Sequence, residues 1–181
     1  MPVALIVDEV TRAMENDGKV LGLYLDLKKA FDTVNINILI KKLHFMGIRG
    51  DMLNIAKSYF LNRRQRVETN GHMSEYRVIK LGVPQGSILG PLFFLLYIND
   101  LVGISDDVQF FQFADDTAII IEGDSYEHLQ SKVITFIPKL TTWFLSNRLT
   151  LNPSKTFDQL YPAFITRAEI NVVLNSVQIK R

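Results

Sequence analysis

Residues 111–121 read Phe-Gln-Phe-Ala-Asp-Asp-Thr-Ala-Ile-Ile-Ile, so that two adjacent aspartates, Asp115 and Asp116, stand between two apolar runs. The flanks are rich in Phe and Ile, which predicts β-strands, and the acidic pair then falls at the tip of a tight hairpin spanning roughly 108–121. Two like charges at such a tip repel each other and both lose water. A divalent cation removes that cost. A site built from carboxylates alone points to Mg²⁺ and to phosphoryl chemistry.

The rest of the chain supplies a frame for this hairpin. Val3, Leu5, Ile6, Val10 and Met14 recur at helical spacing, predicting a helix over 3–15 that ends near Asn16-Asp17-Gly18. The run 20–26 is apolar on both faces, as a central strand is, and period two puts Tyr24 and Asp26 on one face. Two helices are predicted over 35–46 and 50–61, and a hairpin over 66–80 with Asn70-Gly71 as its turn. A loop at 82–87 precedes a helix expected to turn Leu89, Leu92, Phe93, Leu96 and Tyr97 to one side, with Pro91 tolerated near its first turn. A further helix over 125–147 shows Leu129, Val133, Ile137, Leu140 and Phe144, and Pro138 within it is expected to kink or split it. Residues 147–155 read as a loop, and the pattern weakens beyond Thr156. Helices among mostly antiparallel strands predict an α+β fold, with helices on one face of a small sheet and the other face open to a ligand.

Composition narrows the function classes. The chain has 181 residues, 48% of them hydrophobic, enough for one domain with a substantial core. It has no cysteine, which rules out a disulfide frame or a Cys-ligated zinc. The longest apolar run, Leu92–Ile98, is far short of the roughly 20 residues of a membrane span. The first residues lack the basic flank of a secretion signal. A nuclear or cytoplasmic location without membrane attachment is expected. The net charge of +1 is low for a nucleic-acid binder, but Arg63, Arg64 and Arg66 cluster, with Lys57 upstream and Arg77 and Lys80 downstream. Charge alone leaves open a phosphate-binding patch or a solvated turn.

Asp26 ends the apolar strand in Tyr24-Leu25-Asp26-Leu27-Lys28-Lys29-Ala30-Phe31-Asp32. A third carboxylate beside Asp115 and Asp116 would complete an oxygen-lined site for two Mg²⁺ ions, with Mn²⁺ as a substitute. Together with Gly82-Val83-Pro84-Gln85-Gly86-Ser87-Ile88-Leu89-Gly90-Pro91, Phe113-Ala114-Asp115-Asp116, and Trp143 followed by Asn147-Arg148-Leu149-Thr150-Leu151-Asn152-Pro153-Ser154-Lys155-Thr156, the chain resembles the reverse transcriptases of non-LTR (LINE-like) retrotransposons. These four segments stand where motifs A, B, C and D stand in that family, in order, over roughly residues 1–156.

The resemblance implies a polymerase palm at 18–34 and 82–181, with part of the fingers at about 35–81 and no thumb. It implies an RNA-directed DNA polymerase that joins a dNTP to the 3′-hydroxyl of a DNA primer on an RNA template, within a ribonucleoprotein. Asp26, Asp115 and Asp116 would hold the metals, Asp115 as the stronger ligand of its pair. Phe31 takes the place of the steric gate that excludes a ribose 2′-hydroxyl. Gln85 would line the nucleotide pocket, and Pro84 and Gly86 would shape its loop. Phe113 and Ala114 would pack near the primer end. Lys155 corresponds to the lysine near the departing pyrophosphate, and Asp32 to a structural residue. Arg63, Arg64 and Arg66 are expected to contact template phosphates. Basic fingers residues upstream and a thumb downstream are not found, so the chain is expected to be an incomplete polymerase, inactive in isolation. Two other readings stay open. One is an RNA-dependent RNA polymerase, which Phe31 disfavours. The other is a decayed or domesticated domain that binds RNA without turnover.

Overall fold

Residues 2–161, 173–174 and 177–178 are described by the structure, a computed structural model. The chain divides into two compact units, residues 1–28 with 100–181, and residues 29–99. Helix α1 (Pro2–Glu15) leads into strand β1 (Lys19–Leu25), followed by the single turn α2 (Ala30–Thr33) and helices α3 (Ile36–Phe45) and α4 (Gly50–Phe60). Four two-residue strands come next: β2 (Arg64–Gln65), β3 (Glu68–Thr69), β4 (His72–Met73) and β5 (Arg77–Val78). Helix α5 (Leu89–Ile98) runs on into a 3₁₀ segment at Asn99–Ile104. Strands β6 (Gln109–Phe113) and β7 (Asp116–Gly123), helix α6 (Tyr126–Ser146), and strands β8 (Phe157–Tyr161), β9 (Val173–Leu174) and β10 (Val177–Gln178) complete the chain. The α+β class expected from the sequence is the one observed.

The first unit is built on one antiparallel sheet of order β6-β7-β1-β8. Its two faces separate by residue parity. Phe110 pairs with Ile119 in register and its ring meets Phe136 of α6. Leu21, Leu23, Ile119 and Ile121 therefore face α6, and all four are fully buried, as are Leu129 and Leu140 of the helix. At about 25 cal/mol per Å² of apolar surface, burial of these side chains between sheet and helix stabilises the unit. Val20 and Ile120 point the other way, against Val10 and Ala13 of α1. The buried stripe of α1 is thus Ile6, Val10 and Ala13, whereas Val3, Leu5 and Met14 are exposed. The helical period was correct, but the stripe lies one position round from the expected one.

Pro138 does not split α6, which runs unbroken for 21 residues. Proline removes one helical N–H, and the cost is tolerable where the freed carbonyl meets water. Pro138 is exposed, as is Ile134 four residues before it, while Leu129, Val133, Phe136, Leu140, Trp143 and Phe144 anchor both halves. Strand β8 is the other departure. The sequence pattern fades after Thr156, yet Phe157–Tyr161 pairs along β1 from Tyr24↔Phe157 to Val20↔Tyr161. Pro162, within the stretch where the pattern weakens, lies outside the described residues.

The second unit packs α3 against α4 and α5 around Leu39, Leu43, Leu53, Phe60, Phe93, Phe94 and Tyr97. Asn35 caps α3, its side chain accepting from the N–H groups of Asn37 and Ile38. Helix α5 buries Gly90, Phe93, Phe94, Tyr97 and Ile98 and exposes Leu89 and Leu92. It is apolar nearly all round, so sequence spacing found Phe93 and Tyr97 but took Leu89 and Leu92 in place of Phe94 and Ile98. The hairpin expected over 66–80 is two short ladders, β2 with β5 and β3 with β4. Between them, the Val67 N–H donates to the Ser74 hydroxyl rather than to a backbone carbonyl. Asn70 and Gly71 both have positive φ, 48° and 76°, as the predicted turn requires.

Candidate active site

Three stretches of the first unit meet at one end of its sheet. Strand β1 ends with Leu25 opposite Thr117, so Asp26 and Asp116 follow side by side, on the face that also carries Tyr24 and Ala118. The hairpin closes at Phe113↔Asp116, leaving Ala114-Asp115 as its two-residue loop. Ala114 takes a left-handed φ of 55° there. The tip is therefore Ala114-Asp115 rather than the acidic pair, and Asp116 is already the first residue of β7.

Tyr24, Asp26, Phe113, Asp116, Lys155 and Phe157 are among the residues lining an open hollow of about 590 Å³. Its far wall is the start of α1, through Val3 and Ile6. The walls are mostly aromatic and aliphatic, with the two carboxylates and one ammonium at the sheet end. The Tyr24 ring stacks on Phe157 at 4.8 Å, and its hydroxyl lies 3.2 Å from that of Tyr161. Burial, with the Tyr161 hydroxyl adding to it, pushes the Tyr24 phenol well above its ordinary range, so it stays protonated.

The loop after α6 is stitched to Asp26. The Lys28 N–H donates to the Thr150 carbonyl at 2.8 Å, and the Asn152 N–H donates to the Asp26 carbonyl at 2.8 Å. The Asp26 N–H donates to the hydroxyl of buried Thr156 at 3.3 Å. Nζ of Lys155 stands 3.8 Å from Oδ1 of Asp26, and Nδ2 of Asn152 donates to Oδ2 at 2.9 Å. The sequence singled out Lys155 but gave Asn152 no role. An Asn two residues before a Ser signals turn chemistry, but nothing in the sequence names Asp26 as its partner.

Asp26, Asp116 and Lys155 thus share one hollow, whereas Asp115 sits in the hairpin loop and does not line it. Among the described residues, no three Asp, Glu, His or Cys side chains are grouped to hold a metal ion. The chemistry of the donors still suits a hard cation, since two carboxylates open on one hollow with a third on the adjoining loop, and all offer oxygen.

The remaining predicted residues belong to the second unit, apart from Phe113 and Ala114 of the hairpin. Phe31 is half-buried, its ring stacked on Phe94 at 4.7 Å. Gln85 is exposed and donates from Nε2 to Oδ1 of Asp32 at 2.9 Å. Asp32 therefore orients the glutamine, a link that sequence reasoning missed. Gly86 has a φ of 79° with open space where a Cβ would lie. Gly82, at φ 85°, could not carry a Cβ without meeting the Asp32 carbonyl at 2.8 Å. Arg63, Arg64 and Arg66 lie on the β2–β5 hairpin, and Arg66 stands over the Tyr76 ring at 4.8 Å.

An α+β unit whose sheet ends in aspartates at a hairpin and a neighbouring strand is the palm of a polymerase. Solved structures bear out the fold: telomerase from Candida tropicalis, truncated from its C-terminal domain, superposes with a TM-score of 0.65 at 15% identity over 90% of this chain and 36% of that one. Telomerase from Candida albicans in complex with a fragment of telomeric RNA gives 0.64 at 15% identity, over 98% and 34%. The profile of the family "Reverse transcriptase (RNA-dependent DNA polymerase)" matches residues 2–167, and the chain belongs to that family. The RNA-directed DNA polymerase of the mobile element jockey of Drosophila melanogaster is 27% identical over 158 residues. A putative 115 kDa protein of the type-1 retrotransposable element R1DM, from the same species, is 30% identical over 150. The chain spans 17% and 14% of those two relatives.

Proposed function

We propose that this chain forms the catalytic core of an RNA-directed DNA polymerase, extending a DNA primer from dNTPs on an RNA template. The observation that carries this reading is the hollow in which Asp26, Asp116 and Lys155 meet at the end of the sheet. Membership of the reverse transcriptase family supports it. Asp26 and Asp116, with Asp115 from the loop, would hold Mg²⁺ as a pair of ions, or Mn²⁺ in its place. Bound there, the metal supplies Lewis-acid activation of the primer hydroxyl and offsets the charge of the triphosphate.

The chain's own residues do the rest. Lys155, 68% exposed at its side chain, is free to swing from Asp26 towards a departing pyrophosphate, offering charge and a proton. Phe31, its ring fixed by Phe94, is the gate against a 2′-hydroxyl. Gln85, held by Asp32, presents its amide to the nucleotide, and Gly86 lets the backbone approach it. Phe113 and Ala114 would flank the primer end. Arg63, Arg64 and Arg66 would contact phosphates, leaving sequence to base pairing. The setting is a nuclear or cytoplasmic ribonucleoprotein.

Primer extension on an RNA template tests the reading, using a protein that contains residues 1–181. Asp26→Ala is expected to lower the rate at least about 10³-fold, roughly 4 kcal/mol of transition-state stabilisation. Extension at the wild-type rate would overturn the proposal.

A further inference from the structure

Asp26 is gripped at one of its two oxygens by a group whose orientation is itself fixed. Oδ1 of Asn152 accepts from the Ser154 hydroxyl at 2.7 Å and from the Ser154 N–H at 3.3 Å. That commits the oxygen end of the amide to Ser154 and turns the nitrogen end to Oδ2 of Asp26 at 2.9 Å. An ionised carboxylate only accepts hydrogen bonds, so the pairing is matched. The backbone bond from the Asn152 N–H to the Asp26 carbonyl, at 2.8 Å, fixes the distance between the two residues independently of the side chains.

The choice of amide has a consequence for charge. A cationic donor at Oδ2 would cancel the charge of Asp26 and compete with any cation in the hollow. Asn152 fixes the rotation of the carboxylate and leaves its charge in place. Oδ1 is left to the mostly exposed Lys155 at 3.8 Å, a contact that a divalent cation can displace.

Resting on the polymerase reading above, we infer that Asn152, oriented by Ser154, is a positioning residue that sets which oxygen of Asp26 a divalent cation meets. Partners of this kind, one bond removed from a metal, commonly change affinity 10–100-fold when lost.

Mn²⁺ binding to the 181-residue chain, followed by the paramagnetic resonance of free Mn²⁺, tests this without reference to turnover. Asn152→Ala is expected to weaken binding about tenfold, and Ser154→Ala about threefold in the same direction. Thermal melting of each variant reports whether the fold is kept. Asp26→Ala separates the two ideas. If it binds Mn²⁺ as wild type does, or if wild type binds none, the metal reading falls and takes this inference with it. If Asp26→Ala loses binding while Asn152→Ala matches wild type, only the role of Asn152 is overturned. Should Asn152→Ala fail to fold, Ser154→Ala decides, and wild-type affinity in that variant overturns the assignment.

Discussion

The two faces of the four-stranded sheet are built to opposite ends. On one, Leu21, Leu23, Ile119 and Ile121 are sealed beneath α6 with no exposed area to speak of. On the other, α1 covers only the far half, at Val20 and Ile120, and the near half opens into the hollow with Asp26 and Asp116. Residues one apart on the same strand thus serve different ends. On β1 and β7 the odd positions pack the sheet against α6, and the even positions at the open end, Asp26 and Asp116, carry charge.

Three measurements can break or sharpen this contrast. The largest effect belongs to the sealed face. Ile121→Ala is expected to lower the unfolding free energy by about 3 kcal/mol in a denaturant titration, from lost burial and the cavity left behind. A change under about 1 kcal/mol would mean that α6 does not bear the stability assigned to it.

Next comes the charge at the covered half of the open face. Burial, and then a hydrogen bond to Glu9, raise the Glu122 carboxyl above its ordinary value, while Arg12 and Lys132 pull it down. A raised carboxyl binds its proton more tightly when folded. Its contribution is therefore complete below the ordinary glutamate range and is lost as pH rises through the raised value. Glu122→Gln, neutral at every pH, should flatten that decline, with a gain at pH 7 of less than about 1 kcal/mol because the group is only partly buried. Melting temperatures from pH 4 to 8 that fall equally in both proteins would place the effect elsewhere.

The smallest effect is expected in the hollow. Asp116→Asn should leave stability within about 0.5 kcal/mol, since Asp116 is exposed. A loss above about 2 kcal/mol would show that the hollow is structural after all.

Much of this contrast could be read in the sequence, and the failures have a common cause. Strand β1, the β6–β7 hairpin, α3 and α4 announce themselves through period and turn chemistry. Tyr24 and Asp26 were placed on one face by parity alone. Strand β8 was illegible because Asp158, a charged residue, occupies one of its buried positions and breaks the apolar alternation. Helix α5 hid its buried side for the opposite reason, having apolar residues on every side. In the site, the acidic pair and the strand-ending aspartate brought Asp26, Asp115 and Asp116 to attention, and the family resemblance brought Lys155. The one-residue question of which aspartate begins β7 depends on the left-handed turn at Ala114, a conformation that alanine does not advertise. Asn152 and Asp32 escaped because a hydrogen-bond partner distant in sequence leaves no local trace.

The strand order also carries a cost in time. Strand β1 is central, yet Leu25 waits for Thr117, about 90 residues downstream, and Tyr24 waits for Phe157 beyond that. At roughly 5–20 residues per second, a ribosome needs on the order of 5–20 s to deliver even the first neighbour. Throughout that interval Val20-Leu21-Gly22-Leu23 is a greasy ribbon with both edges bare, open to pairing with other chains.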